Sequence, residues 1–344
     1  MSQRVEFLYL SAEDVRAAGG ADMVATMAAC EQAFRLFEEG QCRELPTGKI
    51  HWNGEHAHRA GPKIAYVGGQ VNAVGVKWIP ANPDNPRERH LPRAIAQIIL
   101  TDPVSAVPRA IMDGTIISAV RTAAVGGIFA KYLAKPGAES VSVIGTGPIG
   151  RHQLNAILLA VPSIRRVSVY DLIPERSEKF VADKRAEFPH LEFQVAGSAR
   201  ECIEAGDIIA TATVTAPEDA YIEYEWLRPG AVVINTSSND TKIDTFRKAP
   251  RLVFSYSNEK PGNRLRTDAA RCYEEGILPS DKLVHISEII TGKKPARLSP
   301  DDIIISLPMG MAIMDIINAQ RVYERARELG IGRTLPLWEE VPWV

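Results

Sequence analysis

The chain has 344 residues, 45% of them hydrophobic and 24% charged, with a formal net charge of −2. That length suffices for two domains with separate cores, and the composition is ordinary for a globular protein. The near-neutral charge gives no bulk attraction to nucleic acid or to an acidic membrane, and no run approaches the apolar length of a membrane span.

Residues 1–14, MSQRVEFLYLSAED, lack the apolar core of a signal peptide. Cys30, Cys42, Cys202 and Cys272 are scattered without a CxxC pair, which predicts reduced thiols in a cytoplasmic protein. Residues 21–40 predict an amphipathic helix, with Val24, Met27, Phe34 and Phe37 on one face and Gly40 as its stop. From 41 to 110, short apolar strands (64–67, 74–79 and 95–101) alternate with Pro- and Gly-rich turns, as in an antiparallel sheet. The cluster His51, Glu55, His56 and His58 has no helical spacing to set a ligand pair, so it predicts an exposed loop and no metal. Residues 115–134 predict a helix of small and apolar residues that buries most of its surface.

From 139 to 290 strands alternate with helices. Strands are predicted at 141–145, 166–170, 191–195, 207–212, 231–235 and 251–256, with helices filling the intervals, such as Pro174–Phe188. This alternation implies a doubly wound parallel sheet. A last helix, 310–329, carries Ile313, Ile316, Ile317, Val322 and Ala326 and is expected to return to the first domain.

The first strand of the series runs into Gly145-x-Gly147-x-x-Gly150, and the second ends in Asp171, 21 residues past Gly150. Glycines at this spacing let the backbone approach a pyrophosphate, and the following helix offers free N–H groups and its positive dipole end. Asp171 is placed to accept from the adenosine ribose hydroxyls and to repel a 2′-phosphate, favouring NAD over NADP. A glycine turn alone would be weak; strand, helix and acid in register point to a dinucleotide site.

Ligands of such sheets bind beyond the carboxyl ends of the strands. There, Thr211 to Thr215 supply small hydroxyl residues for adenine or ribose. Asn235-Thr236-Ser237-Ser238-Asn239-Asp240 places a carboxylate near the nicotinamide, where Asp240 is a general base, a holder of water, or an Asx turn or helix cap. Two cations interrupt apolar elements: Lys77 in VGVKWI and Arg121 in the 115–134 helix. Each needs an anionic partner, which is a structural acid, a substrate carboxylate or a cofactor phosphate. Arg89 and Arg93 either reach a second acidic group or form a solvated charged loop. Tyr221, Tyr224 and Trp226 read as core and turn residues rather than a stacking platform.

The stretches VGVKWI (74–79), SAVRTAAV (118–125), VIGTGPIG (143–150), TATVT (211–215), VINTSSND (233–240), HISEIITGKKPAR (285–297) and GMAIMD (310–315) resemble, in this order, the ornithine cyclodeaminase/μ-crystallin family. The resemblance implies an α/β fold: a Rossmann NAD-binding domain at 119–307 and an α+β substrate-binding and dimerisation domain built from 1–118 and 308–344. It implies a cytoplasmic homodimer acting on a small amino acid, with Lys77 and Arg121 on the substrate carboxylate and Asp240 as acid/base, Lys77 assisting. On the substrate side it adds Arg93, Lys49 (a lysine three residues after Pro46, where the family has arginine) and Tyr66, near the family's methionine and facing the substrate pocket. On the cofactor side it adds Arg121, Thr122, Gly145, Thr146, Gly147, Pro148, Ile149, Gly150, Asp171, Thr211, Thr213, Val214, Asn235 and Met309. Residues 75–94, 221–231 and 308–316 look like the branch that forms L-2,3-diaminopropionate for siderophores by NAD-dependent oxidative hydrolysis of an N-linked glutamyl diamino acid. Ornithine cyclodeamination, alanine dehydrogenation and ketimine reduction are the alternatives within the family. A nucleotide-binding protein without chemistry is the alternative outside it.

Overall fold

The computed structural model describes residues 4–45, 48–52, 58–237, 239–255, 276 and 282–340; Pro46, Glu55, His56, Ser238, Cys272 and the end of the 251–256 strand lie outside them. The chain forms two compact units, Met1–Arg121 with Met311–Val344, and Thr122–Gly310. In chain order the first unit begins with β1 (Val5–Leu10), α1 (Ala12–Ala17), α2 (Met23–Glu38), β2 (Cys42–Glu44), β3 (Ile50–Trp52), β4 (His58–Ala60), β5 (Pro62–Val67) and β6 (Ala73–Trp78). It continues through α3 (Asn85–Glu88), β7 (Gln97–Thr101) and β8 (Pro108–Asp113), and α4 (Thr115–Leu133) carries the chain across the unit boundary. The second unit runs β9 (Ser140–Ile144), α5 (Pro148–Ala160), β10 (Arg166–Tyr170), α6 (Pro174–Glu187), β11 (Glu192–Val195), α7 (Ala199–Ala205), β12 (Ile208–Thr211) and β13 (Val232–Asn235). After α8 (Ile243–Lys248) come β14 (Arg251–Phe254), β15 (Leu283–His285), α9 (Ile286–Ile290) and β16 (Ile304–Leu307). Then α10 (Ala312–Leu329) and β17 (Arg333–Trp338) complete the first unit.

The first unit's described strands form a sheet in the order β17-β1-β8-β7-β6-β5-β2, antiparallel except for the β1–β8 pair, with a β3–β4 hairpin beside it in sequence. Residues paired across neighbouring strands share a face. The row Leu10–Met112–Ile98–Lys77–Lys63 therefore faces one way, and the row Tyr9–Ile111–Ile99–Val76–Ile64 faces the other. Helices α2 and α10 supply the core side, where Phe34, Leu100, Ile313 and Ile316 are buried. Local chemistry starts and stops these helices. Ser11 and Asp14 form a capping box on α1, Asp22 caps α2, and α10 ends at Gly330, which takes the left-handed conformation. The free N-terminus of α10 is closed by Glu44, whose carboxylate accepts from the Ala312 N–H at 2.8 Å.

The second unit's described strands form an all-parallel sheet, β11-β10-β9-β12-β13-β16-β14-β15. Every residue of β9, β12, β13, β14 and β16 is buried, as expected of strands covered on both faces. Three expectations need correction. No α-helix fills the β12–β13 interval, which holds only 3-10 turns at Pro217–Asp219 and Tyr224–Trp226. The short run Ile304–Leu307 is a further central strand, inserted between β13 and β14. Finally, α4 is long and apolar enough to cross a membrane by length and composition, yet 72% of that window is buried within the protein; its small apolar residues serve a core. Cys30, Cys42 and Cys202 are buried free thiols.

Candidate active site

In the first unit, the pleat of β6 aims Lys77 into the core, where it has no exposed surface. Its Nζ donates to Asp315 Oδ1 at 2.8 Å and to Ser118 Oγ at 2.9 Å. Arg121 Nε donates to the same Oδ1 at 2.8 Å. Asp315, on α10, is fully buried, and its Oδ2 meets no donor. Burial alone would raise the Asp315 carboxyl, but Arg121, Lys77 and Lys63 together hold it below the usual carboxylate range. Burial, and then the like charge of Arg121, push the Lys77 ammonium well below its ordinary value against the pull of Asp315. Of the three partners open to Lys77 and Arg121, the structure supplies a protein acid. It also brings in Lys63, directly across from Lys77 on β5, which the sequence reading had not singled out.

Other expected substrate residues stand apart from this cluster. Tyr66 pairs with Val74 and so lies on the opposite face from Lys77, with its hydroxyl donating to Asn72 Oδ1 at 3.2 Å. Its register position is odd relative to Lys63, and a period of two sends it outward; this corrects its assignment to a pocket with Lys77. Lys49 and Arg93 are exposed. Arg87 and Arg89 pair with Asp84 and Glu88 in an exposed charged cluster on and beside α3.

In the second unit the glycine turn has the geometry its spacing implies. Gly145 has φ +92°, and a Cβ there would meet the Ala212 carbonyl at 2.7 Å; one at Gly150 would meet the Gly145 carbonyl at 2.1 Å. Gly147 faces open space and caps α5, with Pro148 in the first helical turn and Ile149 half-buried behind it. Gly145 and Gly147 line a cavity of about 770 Å³ with Asp171, Leu172, Ile173, Arg176, Thr213, Val214, Thr215 and Tyr221. Leu172 (86% exposed) and Val214 (82%) offer apolar rims for a flat base. Asp171 Oδ2 accepts from the Thr146 N–H at 2.9 Å and its hydroxyl at 2.8 Å, and Oδ1 accepts from the Ile173 N–H at 3.1 Å. Burial pushes the Asp171 carboxyl up, but these donors hold it below its ordinary value, so it stays charged. The open glycine, the helix N-terminus and an ionised acid on one cavity wall fit the pyrophosphate and ribose of NAD.

Asp240 has no exposed surface. Thr211 donates to its Oδ2 at 2.9 Å, and Thr213 and Thr215 donate to its Oδ1, the latter at 2.9 Å. Its backbone carbonyl accepts from the N–H groups of Tyr221 and Ile222 at 2.9 and 2.8 Å. The threonines expected at adenine or ribose thus aim their hydroxyls at Asp240, and Thr211 is buried. Asn235 is buried and donates to Thr241 at 3.1 Å, while Thr122 and Met309 are half-buried. Among the described residues no group of His, Cys, Asp and Glu is arranged for a metal.

This fold and cavity define a Rossmann-type unit fitted to NAD. Residues 8–330 match the Ornithine cyclodeaminase/mu-crystallin family, and the chain belongs to it. It is 35% identical to N-((2S)-2-amino-2-carboxyethyl)-L-glutamate dehydrogenase of Staphylococcus aureus, over 97% of this chain and 99% of that one. Among solved structures it is similar to the Thermococcus litoralis Δ(1)-pyrroline-2-carboxylate reductase in complex with NADH and L-proline (TM-score 0.83, 28% identity, covering 95% of this chain and 99% of that one). It is likewise similar to an archaeal alanine dehydrogenase dimer with bound NAD (TM-score 0.84, 27% identity, 97% and 100%).

Proposed function

We propose that the enzyme oxidises N-(2-amino-2-carboxyethyl)-L-glutamate with NAD and hydrolyses the product to 2-oxoglutarate and L-2,3-diaminopropionate. The observation that carries this reading is the 35% identity to the Staphylococcus aureus dehydrogenase across nearly the whole of both chains. The first unit's cluster supports it: Lys63, Lys77 and Arg121 surround one carboxylate, a setting suited to a substrate with several carboxylates. In this reading the substrate's carboxylates meet the cluster at Arg121 and Lys63, while Lys77, which has no exposed surface, holds Asp315 in place. Bound NAD supplies the acceptor for the hydride that leaves the glutamyl Cα. The substrate nitrogen loses a proton, and Asp240 takes up that proton or activates the water that then splits the imine. The reaction consumes one NAD and one water and releases NADH and a proton.

The working form in this proposal is a homodimer in the cytoplasm, formed through the first unit's sheet face opposite Lys77. The test is NADH formation with that substrate, NAD or NADP, against L-ornithine, L-alanine and L-glutamate. NADH and 2-oxoglutarate from the N-linked diamino acid alone, with NAD preferred, is the expected result. NADH from alanine, or proline from ornithine, with silence on the diamino acid would overturn it.

A further inference from the structure

Lys63 opposite Lys77 is one step of a longer antiparallel ladder, which continues past Pro62 and Trp78 to Arg59 opposite Ala81. Arg59 and Ala81 exchange backbone hydrogen bonds of 3.1 and 2.7 Å. Between the two pairs, the Ile79 N–H donates to the Gly61 carbonyl at 3.3 Å. The register is therefore unbroken, and a side-chain period of two puts Arg59, Gly61 and Lys63 on one face, the face of Lys77. Arg59 stands about 13 Å along the strand from Lys63, four residues at the usual rise. Gly61 adds no side chain between them. A Cβ there would meet the Gly48 carbonyl at 2.5 Å and Lys49 Cγ at 3.3 Å, so the stem of Lys49 crosses the row at that point.

Arg59 is half-buried, and among the described residues no hydrogen bond or ion pair holds its guanidinium. Its cross-strand neighbours are His51 on β3 and Ala81, with Ala94 beyond, and none of them is an acid. Partial burial, and then the charge of Arg59, lower the Arg93 guanidinium from its ordinary value, so the field of Arg59 is not cancelled. Lys77 and Arg121 differ, because they already share Asp315. A guanidinium without an acid of its own is suited to grip an incoming carboxylate bidentately.

We propose that Arg59 is the subsite for a second carboxylate on the glutamyl part of the substrate, its side-chain carboxylate. The proposal rests on the substrate reading above. With the glutamyl α-carboxylate at Arg121 and Lys63, the side-chain carboxylate lies farther along the carbon chain, and the row of cations continues farther along the strand. Alanine has no second anion for Arg59, and ornithine brings a cation instead, so this residue selects for a dicarboxylate. No bond forms or breaks at Arg59, and its contribution falls on affinity rather than on the chemical step.

The test compares wild type, Arg59→Gln and Arg59→Lys by calorimetry of the NADH-bound enzyme with 2-oxoglutarate, the proposed product, and with pyruvate, which lacks the second carboxylate. KM and kcat on the N-linked diamino acid are measured beside it. Arg59→Gln should weaken 2-oxoglutarate binding and raise KM about 30-fold, with kcat, pyruvate affinity and NADH affinity within about twofold of wild type. Arg59→Lys, which keeps the charge without the fork, should recover part of the loss. Unchanged 2-oxoglutarate binding, an equal loss for pyruvate, or a loss of NADH affinity would each overturn the subsite. A wild type silent on the diamino acid, whose 2-oxoglutarate affinity still falls in Arg59→Gln, would overturn the substrate reading and uphold the dicarboxylate subsite.

Discussion

Lys77 and Arg121 occupy the first unit's core because Asp315 lies between them, and the three groups have no other way to stay there. A charge removed from water costs several kcal/mol unless a partner and further hydrogen bonds offset it. Here both cations converge on one oxygen, Oδ1, while Lys77 also donates to Ser118. Removing the shared acceptor strands two buried cations, whereas removing one cation leaves the other paired. Asp315→Asn should therefore lower the first unit's stability by about 3–5 kcal/mol, and Lys77→Met by clearly less. Urea unfolding of both variants measures the difference. Equal losses would mean that the two cations are not held by Asp315 jointly.

At the level of elements, the second unit's sheet is stitched where β9 and β12 begin. The Asp207 carboxylate accepts from the backbone N–H of Glu139 and Ser140 and from the Ser140 hydroxyl, at 3.0, 3.1 and 2.9 Å, and pairs with Lys135 at 2.8 Å. Burial raises this carboxyl, but Lys135 and the strand donors outweigh it and bring it from 3.8 down to about 2. A depressed folded value means that the stabilisation is complete above the unfolded value and is lost as pH falls toward the folded one. Asp207→Asn should cost about 1–2 kcal/mol at pH 5, and the gap from wild type should narrow below pH 4. A gap that stays constant from pH 5 to 3 would show that charge is not what the pair supplies. This sheet was legible in the sequence because buried parallel strands are continuous apolar runs, and the glycine spacing anchors the first βαβ unit. The strand Ile304–Leu307 escaped notice because four residues carry no period. In the first unit, VGVKWI shows that Lys77 needs an anionic partner, but Asp315 is 238 residues away along the chain, and no local pattern connects them. Tyr66 was misplaced for the opposite reason: one residue of register decides its face.

For the whole molecule, the question is what covers the first unit's second sheet face. Helices α2 and α10 lie on the Lys77 side. On the other side Tyr9, Ile99 and Trp78 are 39–40% exposed, and Leu335 and Leu337 extend the apolar surface along β17. The row Tyr9–Ile111–Ile99–Val76–Ile64 carries apolar side chains across five strands, with Ile111, Val76 and Ile64 half-buried. Monomeric proteins rarely leave so extended an apolar face in water, and a second copy of the same face satisfies it with two-fold symmetry. Ile99 lies mid-row on the central strand β7, so Ile99→Glu would set carboxylates into an apolar contact while leaving the Lys77 face untouched. Sedimentation at micromolar concentration should show a dimer for the wild type and a monomer for Ile99→Glu. The far-ultraviolet circular dichroism should be unchanged, because the substituted side chain points away from the unit's own core. A wild type that sediments as a monomer, or an Ile99→Glu dimer, would place the partner elsewhere and leave this row as exposed surface.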